Sequence, residues 1–124
     1  MLTKRNKRIL ASPIVGRVIV LNGFIMQHRS DACKMIQRIY VAKIIADASL
    51  LFLYAIRQLR GKDYVKRTIE LCEEIEAQAY LVANLQNGWK MKVAADINVM
   101  TEEIVSQVEA FSQSQNHQLP EEAG

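Results

Sequence analysis

Residues 39–56 read IYVAKIIADASLLFLYAI, a run that is apolar nearly all the way round a helix. A helix of that kind needs neighbours on more than one side, so this stretch predicts an assembly of packed helices. Lys43 and Asp47 fall near its middle. Each would cost roughly 3 kcal/mol at the centre of a bilayer, which favours a buried helix of a soluble protein over a membrane span. The narrow polar stripe of Tyr40, Lys43, Asp47, Tyr54 and Arg57 is the edge expected to face water or a partner.

Working outward, Ser30 or Asp31 is placed to cap this helix, and Gly61, just after Arg60, stands where a left-handed residue ends one. Upstream, Ser12 and Pro13 form a favourable helix start, and Ile14, Val18, Leu21 and Ile25 recur at helical spacing. Gly16 and Gly23 share a face of that first helix. Glycine costs a helix about 1 kcal/mol relative to alanine, so close approach by another helix is expected there. Downstream, Val65, Ile69, Cys72, Ile75, Ala79 and Val82 mark a third helix starting near Asp63. Asn87-Gly88 is the turn, and Trp89, Val93, Ile97, Met100, Ile104, Val108 and Phe111 form a heptad seam.

Short connections between helices of similar length predict an all-α fold: an antiparallel up-down-up-down four-helix bundle, expected to be oligomeric. The expected organisation is a basic N-terminal arm over 1–11, the bundle over 12–113 and a flexible polar tail over 114–124. No stretch alternates with period two, so strands are not expected.

Chemistry finds little to work with. A nucleophile needs a base within hydrogen-bond reach. The histidines are His28 and His117, and although His28 lies five residues before Cys33, no oxyanion-hole motif accompanies the pair. Metal-binding bundles use Glu-x-x-His pairs, and none occurs; Glu70, Glu73, Glu74 and Glu76 read as a solvated face. Phosphate-cradling glycine loops are absent. The expectation is a chain that is not an enzyme, with no cofactor and no metal. Cys33 and Cys72 fit no metal spacing and are expected to be buried small hydrophobes in a reducing cytoplasm. The basic start followed by ILASPIVGRVIVLNGFIM resembles a signal peptide, but Arg17 interrupts the apolar run, Pro13 lies near its start and no small-residue cleavage site follows. A cytoplasmic location without membrane attachment is therefore expected.

Charge is the strongest remaining signal. Fourteen of the sixteen Lys and Arg lie in residues 1–67 against three acids, a net of +11, while residues 68–124 hold two lysines against ten acids, a net of −8. One reading is that Lys4, Arg5, Lys7 and Arg8, with Arg17, Arg29, Lys34 and Arg38, bind nucleic-acid phosphates in a salt-dependent way. A second is that the basic half of one copy meets the acidic half of the next in a homo-oligomer. A third is solvated charge with no partner. Few aromatics lie among the cations, so base stacking is not indicated.

The order of features also carries a resemblance. A basic first helix begun by Ser12-Pro13 is followed by a second with Gln37-Arg38-Ile39 near its start and Tyr54-Ala55-Ile56 near its end. A lysine-bearing turn and a Leu/Glu-rich third helix come next. This layout, over residues 12–111, resembles the four-helix-bundle proteins that include the accessory variability determinant of diversity-generating retroelements and the proteins encoded in 23S rRNA intervening sequences. The resemblance implies a pentameric assembly whose basic surface binds RNA or DNA and a reverse transcriptase. It also implies a nucleic-acid role for Arg17, Arg29, Lys34, Arg38, Arg57, Arg60, Lys66 and Arg67. The leading expectation is thus a non-catalytic nucleic-acid- and protein-binding accessory subunit, the alternative a purely protein-binding helical adaptor or homo-oligomeric scaffold.

Overall fold

The computed structural model describes residues 3, 4, 7, 8 and 11–123, with side chains up to residue 114. Arg5 and the side chain of His117 lie outside the described residues. Among those described, all regular structure is helical. Four long helices dominate: α1 (Pro13–His28), α2 (Lys34–Leu59), α3 (Val65–Asn84) and α4 (Met91–Ala123). Contacts run α1 to α2, α2 to α3, α3 to α4 and α4 back to α1, so the four close on one another in a bundle-like arrangement. Leu21, Ile25, Ile44, Leu51, Ile75, Ile97 and Ile104 are fully buried at its centre. Each such side chain contributes about 1.5–3 kcal/mol through removal from water.

The start of α1 follows its sequence signal. Ser12 is extended, and its Oγ accepts the Ile14 N–H at 3.2 Å, satisfying one of the otherwise orphaned donors of the first turn. Ile14, Val18, Leu21 and Ile25 are buried as the spacing predicts. Asn22 then ties two helices together, its Nδ2 donating to Val18 O at 2.9 Å and to Ala48 O of α2 at 3.0 Å. Gly16 and Gly23 correct the expectation placed on them. Neither would bring a Cβ within 4 Å of anything, because both lie on the side of α1 turned away from the other helices of the chain.

The α1–α2 connection also differs from its predicted form. Neither Ser30 nor Asp31 caps α2: Arg29–Asp31 form a 3-10 turn, Ala32 and Cys33 are extended, and Cys33 holds the capping position. The Asp31 carboxylate lies instead 2.7 Å from His28 Nδ1. Cys33, expected to be buried, is exposed; Cys72 on the inner face of α3 is buried. Two hydrogen bonds fasten this connection to the one between α3 and α4. Cys33 N–H donates to Asn87 O at 2.9 Å, and Trp89 Nε1–H donates to His28 O at 2.8 Å.

In α2, Gln37–Val41 form a π-helical turn, with Ala42 N–H donating to Gln37 O. The buried positions Ile36, Val41, Ile44, Ala48, Leu51 and Ala55 show why. The step from Ile36 to Val41 is five residues where a regular helix needs three or four, and one wide turn restores the apolar face to the core. Gly61 ends the helix at φ 90°, as predicted. The polar stripe is the water-facing edge only in part: Tyr40, Lys43 and Arg57 are exposed and Tyr54 is half-buried, but Asp47 is not at the surface. Asp47 is buried because α3 packs on that flank, and it accepts from Lys43 Nζ at 3.2 Å and from Gln78 Nε2 at 2.8 Å. What faces outward is largely apolar: Met35, Ile39, Leu50 and Leu53 are all more than a third exposed.

Along α3, Cys72, Ile75, Ala79 and Val82 are buried; Glu70, Glu73 and Glu74 are exposed. Glu76 departs from the solvated-face expectation, being half-buried and accepting the Thr101 hydroxyl of α4. Asn87 takes the left-handed conformation at φ 63°, which asparagine tolerates better than most residues. Trp89, Val93, Ile97, Ile104 and Val108 are buried, with Met100 and Phe111 packed against them. The helix continues through Ala123, beyond the boundary expected at residue 113.

Three glycines therefore differ in a measurable way. A Cβ on Gly88 would sit 1.9 Å from Val82 O, whereas Gly16 and Gly23 have open space. Gly88→Ala should lower the urea midpoint sharply, by the equivalent of about 2 kcal/mol or more. Gly16→Ala and Gly23→Ala should each leave the fold intact and raise its stability by up to about 1 kcal/mol. Denaturant titrations of the three variants check this.

Candidate nucleic-acid interface

The predicted cations fall into three settings. At the α1–α2 connection, Arg29, Lys34 and Arg38 line one open groove of about 580 Å³ together with Gln37, Ala42 and Ile45. The 3-10 turn places Arg29, the first turn of α2 places Lys34, and the π turn places Arg38. Gln37 closes the corner, its Nε2 donating to Ala32 O at 2.6 Å. No carboxylate lines the groove, and among the described residues none of its three cations is in an ion pair. Three unneutralised cations on a concave surface make a field suited to an anion with several charged oxygens.

The second setting is the α2–α3 connection. Tyr64 is buried there, its ring 5.1 Å from the ring of Tyr54 and flanked by the guanidinium carbons of Arg57 at 5.6 Å and Arg67 at 5.1 Å. Arg57 also donates to Tyr64 Oη at 2.9 Å. That hydrogen bond, against the opposing effect of burial and with the charges of both arginines, holds the Tyr64 hydroxyl below the usual tyrosine value. Arg60 is exposed beside this cluster, while Lys66 shares a hollow with Asp63, Glu70 and Glu73. Arg57 and Arg67 are thus partly engaged with an aromatic ring.

Arg17 forms the third setting. It reaches α4 and pairs with Glu103, so its charge is already answered within the chain. In the arm, Lys4, Lys7 and Arg8 are exposed; Arg5 lies outside the described residues. The structure therefore brings together Arg29, Lys34 and Arg38, and separately Arg57 and Arg67, but does not join the cations into one continuous patch.

Sequence reasoning missed Tyr64 and Gln37. Nothing in the local pattern marks a tyrosine just past a helix-ending glycine as buried. The signal for Gln37 was present, in the five-residue step that requires a π turn. As for metal chemistry, no group of three or more His, Cys, Asp or Glu stands close enough to hold an ion among the described residues. Compared with protein-family models, with curated proteins and with solved structures, the chain has no match.

The two cysteines give a test of local environment. Burial, followed by the charges of Glu76 and Glu73, pushes the Cys72 thiol up to about 12. At pH 8 it is almost wholly protonated and unreactive, since the thiolate is the nucleophile. A thiol reagent should therefore label the native chain once, and Cys33→Ser should abolish that fast reaction. Two equally fast reactions would contradict the burial of Cys72.

Proposed function

We propose that the chain is a non-catalytic accessory subunit that binds RNA or DNA phosphates through Arg29, Lys34 and Arg38 and self-associates through the outer faces of α1 and α2. The observation that carries the first part is the groove at the α1–α2 connection, where those cations converge without a carboxylate. Phosphates suit such a site because each neutralised phosphate releases condensed counterions to solvent. Lys4, Arg5, Lys7 and Arg8, with Arg57, Arg60, Lys66 and Arg67, add cations on the same half of the sequence. Arg17 contributes least, being held by Glu103.

The reading includes an antiparallel up-down-up-down order. The hydrogen bonds from Cys33 to Asn87 and from Trp89 to His28 favour it, because they put the first and third connections at one end. Its family half is an accessory protein like those of diversity-generating retroelements, with a reverse transcriptase as protein partner and a pentameric assembly in the cytoplasm. The layout of residues 12–111 is what supports that half.

Anisotropy of labelled RNA and DNA across a salt series tests the nucleic-acid reading. Binding should weaken steeply with salt, and the triple change of Arg29, Lys34 and Arg38 to Ala should flatten the slope of log affinity against log salt by roughly 1 per cation removed. Arg17→Ala should leave the slope nearly unchanged. Absence of binding at low salt contradicts the reading.

A second reading, a homo-oligomeric scaffold or protein-binding adaptor without nucleic acid, is favoured by a separate observation. Ile19, Val20 and Met26 of α1, with Ile39, Leu50 and Leu53 of α2, are exposed apolar side chains. Exposed apolar surface of this extent marks interaction sites. Sedimentation should give a native mass several times that of one chain, and Ile39→Glu with Leu53→Glu should reduce it to the monomer. A native chain sedimenting as a monomer would contradict self-association under either reading.

A further inference from the structure

The groove between α3 and α4 is the reverse of the basic one. It holds about 520 Å³, with Ile69, Cys72 and Val105 along its apolar part and Glu73, Glu102 and Glu109 among its lining. Glu76 lines it as well, and no lysine or arginine does. None of these four glutamates is in an ion pair among the described residues. Glu76 accepts the Thr101 hydroxyl, and Glu102 accepts the Asn98 amide at 3.3 Å. Four carboxylates along one groove repel one another, and burial, followed by the charges of Glu76 and Glu73, raises the Cys72 thiol beside them. A segment that is both basic and apolar relieves that repulsion and covers the trough in one step.

The chain itself contains such a segment. Residues 1–10, MLTKRNKRIL, carry Lys4, Arg5, Lys7 and Arg8 together with Leu2, Ile9 and Leu10. Lys7 N–H donates to Thr3 O and Ala11 N–H to Lys7 O, each at 3.0 Å, the four-residue spacing of a helix. At that spacing Lys4, Lys7 and Arg8 share one face. All three are exposed, and among the described residues none is in an ion pair with the groove of its own chain.

We infer that the groove between α3 and α4 receives the basic N-terminal arm of a second copy of this chain. The occupant is fixed by charge complementarity: four cations in residues 4–8 meet Glu73, Glu76, Glu102 and Glu109, while the arm's leucines and isoleucine cover Ile69 and Val105. The inference rests on the self-association proposed above, and it adds a consequence. Arm cations seated in a neighbour's groove are withdrawn from nucleic acid, so assembly and phosphate binding compete for the arm but not for Arg29, Lys34 and Arg38.

The test uses the full chain, with ordinary and 15N-labelled preparations mixed in equal parts, unfolded and refolded together so that copies exchange, and then treated with a carbodiimide, which joins an amine to a carboxylate in direct contact. Cross-linked peptides joining Lys4 or Lys7 to Glu73, Glu102 or Glu109, with one partner of each isotope, are expected. Links confined to a single isotope would place the arm on its own chain and overturn the inference. Charge reversal gives the second arm of the experiment. Changing Lys4, Arg5, Lys7 and Arg8 to Glu should weaken self-association by about tenfold or more, and so should changing Glu73, Glu102 and Glu109 to Lys. An equimolar mixture of the two variants should regain it, because each then offers the other a complementary arm and groove. Should the groove variant fail to fold, the arm variant and the isotope experiment decide alone. Association that survives both reversals but is lost in Leu53→Glu overturns the role of the arm while leaving the apolar face in place. A native chain that is monomeric overturns both.

Discussion

A helix in a closed ring of four has two neighbours, and this geometric limit governs the rest of the molecule. Each helix turns one face to the shared core and leaves the other uncovered. For α3 and α4 the exposed side chains include Glu70, Glu73, Glu74 and Glu102. For α2 the limit bites harder, because its sequence is apolar on nearly every side. Ile44, Ala48, Leu51 and Ala55 satisfy the core, and Met35, Ile39, Leu50 and Leu53 remain outside it. By length and composition alone this helix could cross a bilayer, with a third of its most apolar window buried. Lys43, Asp47 and Gln78 instead form a polar link from it to α3.

The outer faces of α1 and α2 are alike in what they lack. Gly16, Ile19, Val20, Gly23 and Met26 on α1 carry no charge, and Ala46, Ser49, Leu50 and Leu53 on α2 carry none. The two glycines open onto empty space, so the backbone of α1 is accessible to a close neighbour. Most cations of this half lie toward the ends of α2, with Arg29, Lys34 and Arg38 at one and Arg57, Arg60 and Arg67 at the other, while Lys43 near the middle is paired with Asp47. A largely apolar middle flanked by cations suits the proposed division of labour, in which the middle packs against another copy and an end holds phosphates.

The helices were legible in the sequence wherever periodicity or a terminating residue acted locally. Ser12, Pro13 and Gly61 each mark a boundary by their own conformational preference, and Val93, Ile97, Ile104 and Val108 mark a core by spacing. What was not legible depended on neighbours. Asp47 reads as a surface charge until α3 brings Gln78 to it, and Cys33 reads as a core residue until the chain turns at Arg29–Asp31. The candidate site was legible only in part. Sequence placed Arg29, Lys34 and Arg38 near one another along the chain, but Arg17 reads as equally available and is in fact answered by Glu103, 86 residues away. Tyr64 between two arginines is a tertiary feature with no local signature.

The central claim is that the apolar outer faces of α1 and α2 are covered by another copy of the chain. Hydroxyl-radical footprinting over a range of protein concentrations tests it directly, because methionine side chains report their own exposure. Met26, Met35 and Met91 are 53%, 62% and 48% exposed in the single chain, two on the claimed face and one at the start of α4. The account predicts that Met26 and Met35 become protected as concentration rises while Met91 stays reactive. Equal and concentration-independent oxidation of all three would contradict it.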